Sequence, residues 1–215
     1  MGLGDLRRVY DGTPLDVGDL AADPLLQVAR WLAEARDALD GETEVNAMAL
    51  ATADAAGRPS VRMVLLKDLD ERGLTFFTNH GSRKGRELAE NPHAALCLHW
   101  PPLFRQVRVS GPCRPVAREE AAAYFATRPP GSRRSAWASR QSAPIADRAA
   151  LEAAMAAAAE RFPDDAAIPL PDHWGGYRVE PDEVELWQGR PDRLHDRFRY
   201  LRGADGRWAL ERLQP

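Results

Sequence analysis

Residues 47–67, AMALATADAAGRPSVRMVLLK, hold two β-rich runs, Ala47 to Thr52 and Val61 to Leu66, either side of the turn Asp54-Ala55-Ala56-Gly57. Strands joined by so short a link pair antiparallel, because a parallel partner needs a crossover of about a dozen residues or more. The same pattern recurs outward. Asp70-Glu71-Arg72-Gly73 leads into Leu74 to Thr78, and Ala94 to Trp100 and Gln106 to Ser110 follow. Nearer the C-terminus come Tyr177 to Val179, Val184 to Trp187, His195 to Leu201 and Trp208 to Leu213, with Ala204-Asp205-Gly206 turning the last hairpin. The spacing predicts a meander or Greek-key barrel, predominantly antiparallel β.

Helices surround these strands, which makes the class α+β with peripheral helices. Asp23-Pro24 is an N-cap followed by proline at N1, and Leu25, Val28, Ala29, Leu32, Ala35 and Leu39 recur at helical spacing up to Gly41. Further helices are predicted from Ser82, over Arg118 to Thr127, and over the Ala-rich stretch Asp147 to Phe162, with a loop at Arg128-Pro129-Pro130-Gly131-Ser132. No internal repeat or low-complexity linker interrupts the chain. It reads as a single domain, residues 21–215, behind a polar, mobile arm, residues 1–20.

Composition narrows the class. With 215 residues, 44% hydrophobic, and a net charge of -3, the chain needs no disulfide or metal staple to fold, and bulk polyanion binding is disfavoured. Cys97 and Cys113 sit in apolar stretches and read as buried, reduced thiols; no metal site is expected. No run reaches the length of a membrane span and no apolar core follows Arg7-Arg8, so a cytoplasmic location is expected. Of 29 basic residues only Lys67 and Lys84 are lysine.

The GxGxxG, Walker, HExxH and GxSxG signatures are missing. In their place stand cationic and amide side chains at strand ends and helix starts. Arg62 and Lys67 close a strand with only apolar residues between; five positions apart, they face opposite sides. Thr78-Asn79-His80-Gly81-Ser82-Arg83-Lys84 turns a strand into a helix, where free amides suit an anion and the two cations oppose the dipole unless one is bound. Tyr124, Arg128 and Ser132 offer either a second phosphate site or a basic surface, since residues 121–146 hold four arginines and no acid. In Arg193-Leu194-His195-Asp196-Arg197, period-two alternation puts Arg193, His195 and Arg197 on one strand face. Three such groups repel unless a ligand or carboxylate lies across them.

Together, Arg62 to Lys67, Ser82-Arg83-Lys84, Trp174-Gly175-Gly176 and Arg193 to Arg197 resemble the pyridoxine/pyridoxamine 5'-phosphate oxidase family over nearly the whole chain. The resemblance implies an FMN-binding split β-barrel that forms a homodimer with FMN at the subunit interface. It implies FMN contacts from Arg62, Met63, Val64, Leu65, Leu66, Lys67, Phe77, Thr78, Arg83, Lys84, Gln106, Gln141, Ser142, Trp187 and Arg197. Arg83 and Lys84 would take the flavin phosphate. Lys67, Tyr124, Arg128 and Ser132 would hold the substrate phosphate, Arg193, Leu194 and His195 the pyridine ring, and Arg7, Arg8, Val9 and Tyr10 a lid; Arg193 and His195 would be catalytic. The implied reaction oxidises pyridoxamine or pyridoxine 5'-phosphate at C4' to pyridoxal 5'-phosphate, with O2 as acceptor and H2O2 as by-product. Phe77 stands where relatives carry Tyr, and Glu44 where they carry Asp. Competing readings are a phenazine-pathway oxidase or flavin reductase on the same barrel, a non-catalytic flavin or pyridoxal phosphate carrier, and nucleic-acid binding by the Arg-rich window, which leaves Arg193, His195 and Arg197 unexplained.

Overall fold

The computed structural model describes residues 2–3, 9–39, 41 and 43–215. β1 (Ala47–Ala53) and β2 (Pro59–Leu65) form the expected hairpin, with Ala47 opposite Leu65 and Ala53 opposite Pro59. β3 (Asp68–Asp70), a short strand the sequence reading passed over, pairs with β4 (Gly73–Asn79) across the Asp70–Gly73 turn. β5 (His93–Trp100) pairs with β1 on one side and with β6 (Arg105–Pro115) on the other.

β6 belongs to both halves of the barrel. Residues 105–110 pair with β8 (Glu183–Gln188), which continues into β9 (Asp196–Arg202) and β10 (Trp208–Leu213). Its last residues, Cys113–Pro115, pair with β7 (Trp174–Val179), which also pairs with β4. All pairings are antiparallel. The strand was expected to stop at Ser110 but runs on because Gly111 lets it cross the β7–β8 connection: a Cβ there would lie 2.1 Å from the Glu180 carbonyl oxygen.

The core follows from strand alternation. Met48, Leu50 and Thr52 point inward from β1, and Ala94, Leu96, Leu98 and Trp100 from β5. α1 (Pro24–Ala38) closes this core: the Asp23 carboxylate accepts the Leu25 N–H at 2.8 Å, and Leu25, Val28, Trp31 and Ala35 face inward at i, i+3 and i+4 spacing. α2 (Arg83–Glu90), α3 (Arg118–Thr127) and α5 (Arg148–Arg161) lie where expected, capped in α2 and α5 by Ser82 and Asp147.

Two local expectations are corrected. The stretch Arg128 to Ser132 is not all loop: Pro130 takes the first position of an additional helix, α4 (Pro130–Ala138), where its missing N–H costs nothing. Nor do Arg193, His195 and Arg197 share a strand face. β9 begins at Asp196, and Pro191–Arg193 form a tight turn in which Asp192 and Arg193 have φ of 55° and 63°. The proline and the left-handed pair break the alternation. From Tyr10 onward the N-terminal stretch makes specific contacts: the Leu15 N–H donates to Asp196, and Arg212 bonds the Leu15 carbonyl and Asp16. Arg7 and Arg8 lie outside the described residues.

Leu186 has no exposed surface on β8, whereas Leu26 is 65% exposed on α1. Leu186→Ala is expected to cost about 2–5 kcal/mol, and Leu26→Ala within about 0.5 kcal/mol of zero. Urea unfolding at one fixed protein concentration reads both; equal midpoints would contradict this placement of the core.

Candidate active site

A cavity of about 590 Å³ opens where the end of β2 meets β4, α2, α3 and α4. That volume suits a cofactor-sized ligand. Met63, Val64 and Leu65 line it from β2, and Lys67 from just beyond the strand end, while Leu66 turns into the core and is 4% exposed. Arg62 leaves on the other side, as the five-residue spacing required: its guanidinium meets Thr52, Ser60 and Glu87.

At the α2 end, Lys84 is buried among neutral oxygens. Its Nζ donates to Gln141 Oε1 at 2.8 Å, Thr78 Oγ1 at 3.2 Å and Ser82 Oγ at 3.4 Å, and the Thr78 hydroxyl donates to Gln141 at 3.1 Å. Two separated segments of the sequence, residues 78–84 and Gln141, thus meet at one amine. The helix reaches this position because residue 85 is glycine; a Cβ there would lie 2.1 Å from the His80 carbonyl oxygen. Burial, and then the Arg62 charge, hold Lys84 down to about 8.

The opposite wall is aromatic. Phe77 and Tyr124 stack with centroids 4.0 Å apart, and Trp174 continues the slab 5.7 Å from Phe77. Gly176 makes room for the Phe77 ring, which a Cβ would approach to 2.8 Å. The Arg128 guanidinium lies 4.7 Å from the Trp174 ring centroid, and its Nη1 is enclosed with no hydrogen-bond partner. Burial pushes the Arg128 pKa down. Among the described residues no acid pairs with it, so Lys67, Arg128 and Lys84 give this cavity an uncompensated positive charge. Tyr124 and Ser132 share the lining, as do Asn79 at the end of β4 and two helical residues, Thr127 and Ser135, which the sequence reading did not single out because nothing marks a lone hydroxyl on a helix face.

The remaining expected residues assemble elsewhere. Gln106, Trp187 and Arg197 stand opposite one another across β6, β8 and β9, forming one row. His195 packs on Trp187 at 4.6 Å, and Tyr10 meets both rings edge-on, at 5.5 Å from His195 and 5.8 Å from Trp187. The Arg190 backbone N–H donates to His195 Nδ1 at 3.0 Å. Because that donor is obligatory, Nδ1 keeps its lone pair and the neutral ring carries its proton on Nε2. Burial, then Arg193 and Arg197, push the His195 pKa down. Arg197 is balanced by buried Glu185, its Nε 2.9 Å from Oε1, a carboxylate partner that the sequence reading left unidentified. Arg193 and Leu194 project from the turn, exposed, and Val9 is 78% exposed. Ser142 is also exposed, at φ 70° beside Gln141. None of Gln106, Trp187, Arg193, His195 and Arg197 lines the cavity.

Arg83 does not line the cavity either; its Nε is bonded to Glu87 at 2.8 Å. Glu87, 5% exposed, is the polar centre the sequence reading missed, although its i, i+4 spacing from Arg83 was a visible signal.

An anion bound against Lys84 favours the ammonium and raises its pKa from about 8. Binding therefore takes up protons above that pH, and affinity falls as pH rises. FMN affinity, titrated by quenching of flavin fluorescence, is expected to weaken up to about tenfold from about pH 7 to pH 9, and Lys84→Met to flatten the profile. A flat wild-type profile would take the anion away from Lys84.

Comparison with known proteins matches residues 33–162 to the pyridoxamine 5'-phosphate oxidase family and residues 174–215 to the pyridoxine 5'-phosphate oxidase C-terminal dimerisation region. The chain is 55% identical over 213 residues to pyridoxine/pyridoxamine 5'-phosphate oxidase 1 of Ralstonia nicotianae, covering 99% of each chain. It is 50% identical to the Streptomyces avermitilis pyridoxine/pyridoxamine 5'-phosphate oxidase, covering 98% of this chain and 95% of the relative. A crystal structure of PhzG from Burkholderia lata in complex with tetrahydrophenazine-1-carboxylic acid superposes with a TM-score of 0.87 at 36% identity, over 97% of this chain and 100% of that one.

Proposed function

The chain belongs to the pyridoxine/pyridoxamine 5'-phosphate oxidase family, and on that premise we propose that it oxidises pyridoxamine and pyridoxine 5'-phosphates at C4' to pyridoxal 5'-phosphate, with O2 as acceptor. The observation that carries this reading is the uncompensated charge of Lys67, Arg128 and Lys84 around one cavity with an aromatic wall. Two kinds of phosphate ester, cofactor and substrate, account for cations on both sides of that cavity.

The residues fit FMN. Lys84 with Thr78 and Gln141 offers a buried cation and amide, Arg83 a further guanidinium at the same helix start, and Met63 to Leu65 an apolar strand edge. When bound, FMN would supply the redox chemistry of the reaction, two-electron oxidation of the substrate at C4' with O2 as the final acceptor. The protein's task is placement and charge. Lys67, Tyr124, Arg128 and Ser132 take the substrate phosphate, whose oxygens are acceptors for the enclosed Arg128 Nη1. Tyr124 is stacked on Phe77, which favours the ring position seen here and so helps preform the site. His195 presents Nε2–H as a hydrogen-bond donor to the substrate, and its lowered pKa favours the neutral ring that this tautomer requires.

The cavity and the row of Gln106, Trp187 and Arg197 are complementary halves. We read the active site as composite, each cavity completed by Arg193 and His195 of a second copy through the dimerisation region at residues 174–215. Residues 21–215 form one such domain, and residues 1–20 are its arm, with Tyr10 packed on the half that carries His195. Among the described residues no helix is long and apolar enough to cross a membrane, and we place the protein in the cytoplasm. No nucleic-acid role is needed: of the four arginines of the basic stretch, Arg134 is engaged by the Phe162 carbonyl and Asp165, Arg128 lines the cavity and Arg133 is buried.

The direct test is an anaerobic visible spectrum of the FMN-loaded protein. Pyridoxamine 5'-phosphate is expected to bleach the flavin band and air to restore it, with aldehyde formed. A band that only another reductant bleaches would assign the chain to a sister flavoenzyme. The composite site makes a sharper prediction. Arg128→Ala and Arg193→Ala homodimers are each expected to lose most turnover while keeping flavin, and randomly reassorted mixtures to recover about one quarter of wild-type activity, since one site in each mixed dimer is intact. No recovery would place both halves in one chain.

A further inference from the structure

Glu87 sits in α2 with 5% of its surface exposed, and no role in binding or turnover has so far fallen to it. Its carboxylate accepts hydrogen bonds from four side chains on three elements: Thr52 on β1, Ser60 and Arg62 on β2, and Arg83 one turn earlier on α2. Burial pushes the carboxyl up, but the donors from Ser60, Thr52, Arg83 and Arg62 outweigh it and hold it at about 2, so the group is an anion at neutral pH.

The two arginines are held differently. Arg62 is enclosed by its partners: Nη1 meets the Leu50 carbonyl at 3.2 Å and Thr52 at 2.6 Å, and Nη2 meets Ser60 and Glu87. Arg83, whose side chain is 60% exposed, is tied among the described residues through Nε alone, 2.8 Å from Glu87 Oε1. A guanidinium is planar, so fixing Nε fixes the plane and leaves the Nη1–Nη2 edge as a two-donor fork of the shape that grips phosphate oxygens.

We propose that Glu87 is a positioning residue for the flavin phosphate, holding the Arg83 guanidinium by Nε so that its Nη1–Nη2 edge is presented as a preset fork. The proposal rests on the reading that Arg83 addresses that phosphate. It runs against simple charge counting, by which removal of a carboxylate near a phosphate site tightens binding.

The test compares FMN with riboflavin, which lacks the phosphate, by fluorescence quenching on flavin-stripped protein. Glu87→Gln keeps the size of the side chain but replaces one acceptor oxygen with an N–H donor. Glu87→Gln and Arg83→Ala are each expected to weaken FMN about tenfold and to leave riboflavin within about twofold of wild type. Equal losses of both flavins in Glu87→Gln would make Glu87 a fold residue only, and tighter FMN binding would make it a competing anion; either overturns the proposal. An unchanged FMN-to-riboflavin ratio in Arg83→Ala would overturn the underlying reading, whereas a raised ratio there with none in Glu87→Gln overturns the role of Glu87 alone. If Glu87→Gln does not fold, Arg83→Lys replaces it, since it keeps a cation but loses the fork; an unchanged ratio then overturns the proposal.

Discussion

One strand of 11 residues has to satisfy three neighbours, and the architecture depends on how it does so. β6 pairs with β5 along most of its length, with β8 at its start and with β7 at its end. A strand has only two edges, so β8 and β7 must share one of them in succession, and the sheet has to bend where the change is made. Gly111 stands at that point, against the Glu180 carbonyl. The bend divides the barrel into two regions. Beyond the end of β6 lie α3, Trp174 and the cavity; beside its start lie Gln106, Trp187 and the His195 turn.

The charges follow this division. On the cavity side Lys84 is buried and Arg128 half-buried with its Nη1 enclosed, neither with a carboxylate partner, which is costly for the protein alone and sensible where an anion arrives. On the other side, and behind α2, the cations are matched: Arg197 by Glu185, and Arg62 and Arg83 by Glu87. The cations thus separate into structural pairs, cations left for ligands, and Arg83, which is paired through Nε while its Nη1–Nη2 edge faces outward.

Much of the barrel was legible because it rests on local rules. The hairpin at residues 47–67, the Asp23-Pro24 start of α1 and the Ser82 cap of α2 each follow from a few adjacent residues. What escaped depends on partners distant in sequence. That β6 continues to Pro115 is decided by Glu180, and that Arg197 is balanced is decided by Glu185. The period-two reading of Arg193, His195 and Arg197 failed for a different reason: Pro191 and two left-handed residues make a turn there that alternation cannot register. The site showed the same limit. Its cations could be picked out one by one, but their distribution over two separated regions follows from topology.

That turn carries backbone strain at two successive residues. Asp192 and Arg193 are consecutive residues with positive φ, each costing on the order of 1 kcal/mol or more. Such strain persists only where the surroundings over-determine the conformation. Here they do: the Arg190 N–H is fixed on His195, its guanidinium on the Gly12 carbonyl, and Asp196 is gripped by the Leu15 N–H and by Arg212. The N-terminal stretch, the C-terminal hairpin and the His195 ring are therefore one braced unit. An exposed arginine and an exposed leucine at the tip of a floppy loop would sample many orientations. At the tip of this one, the backbone that carries the exposed Arg193 and Leu194 is braced by those bonds.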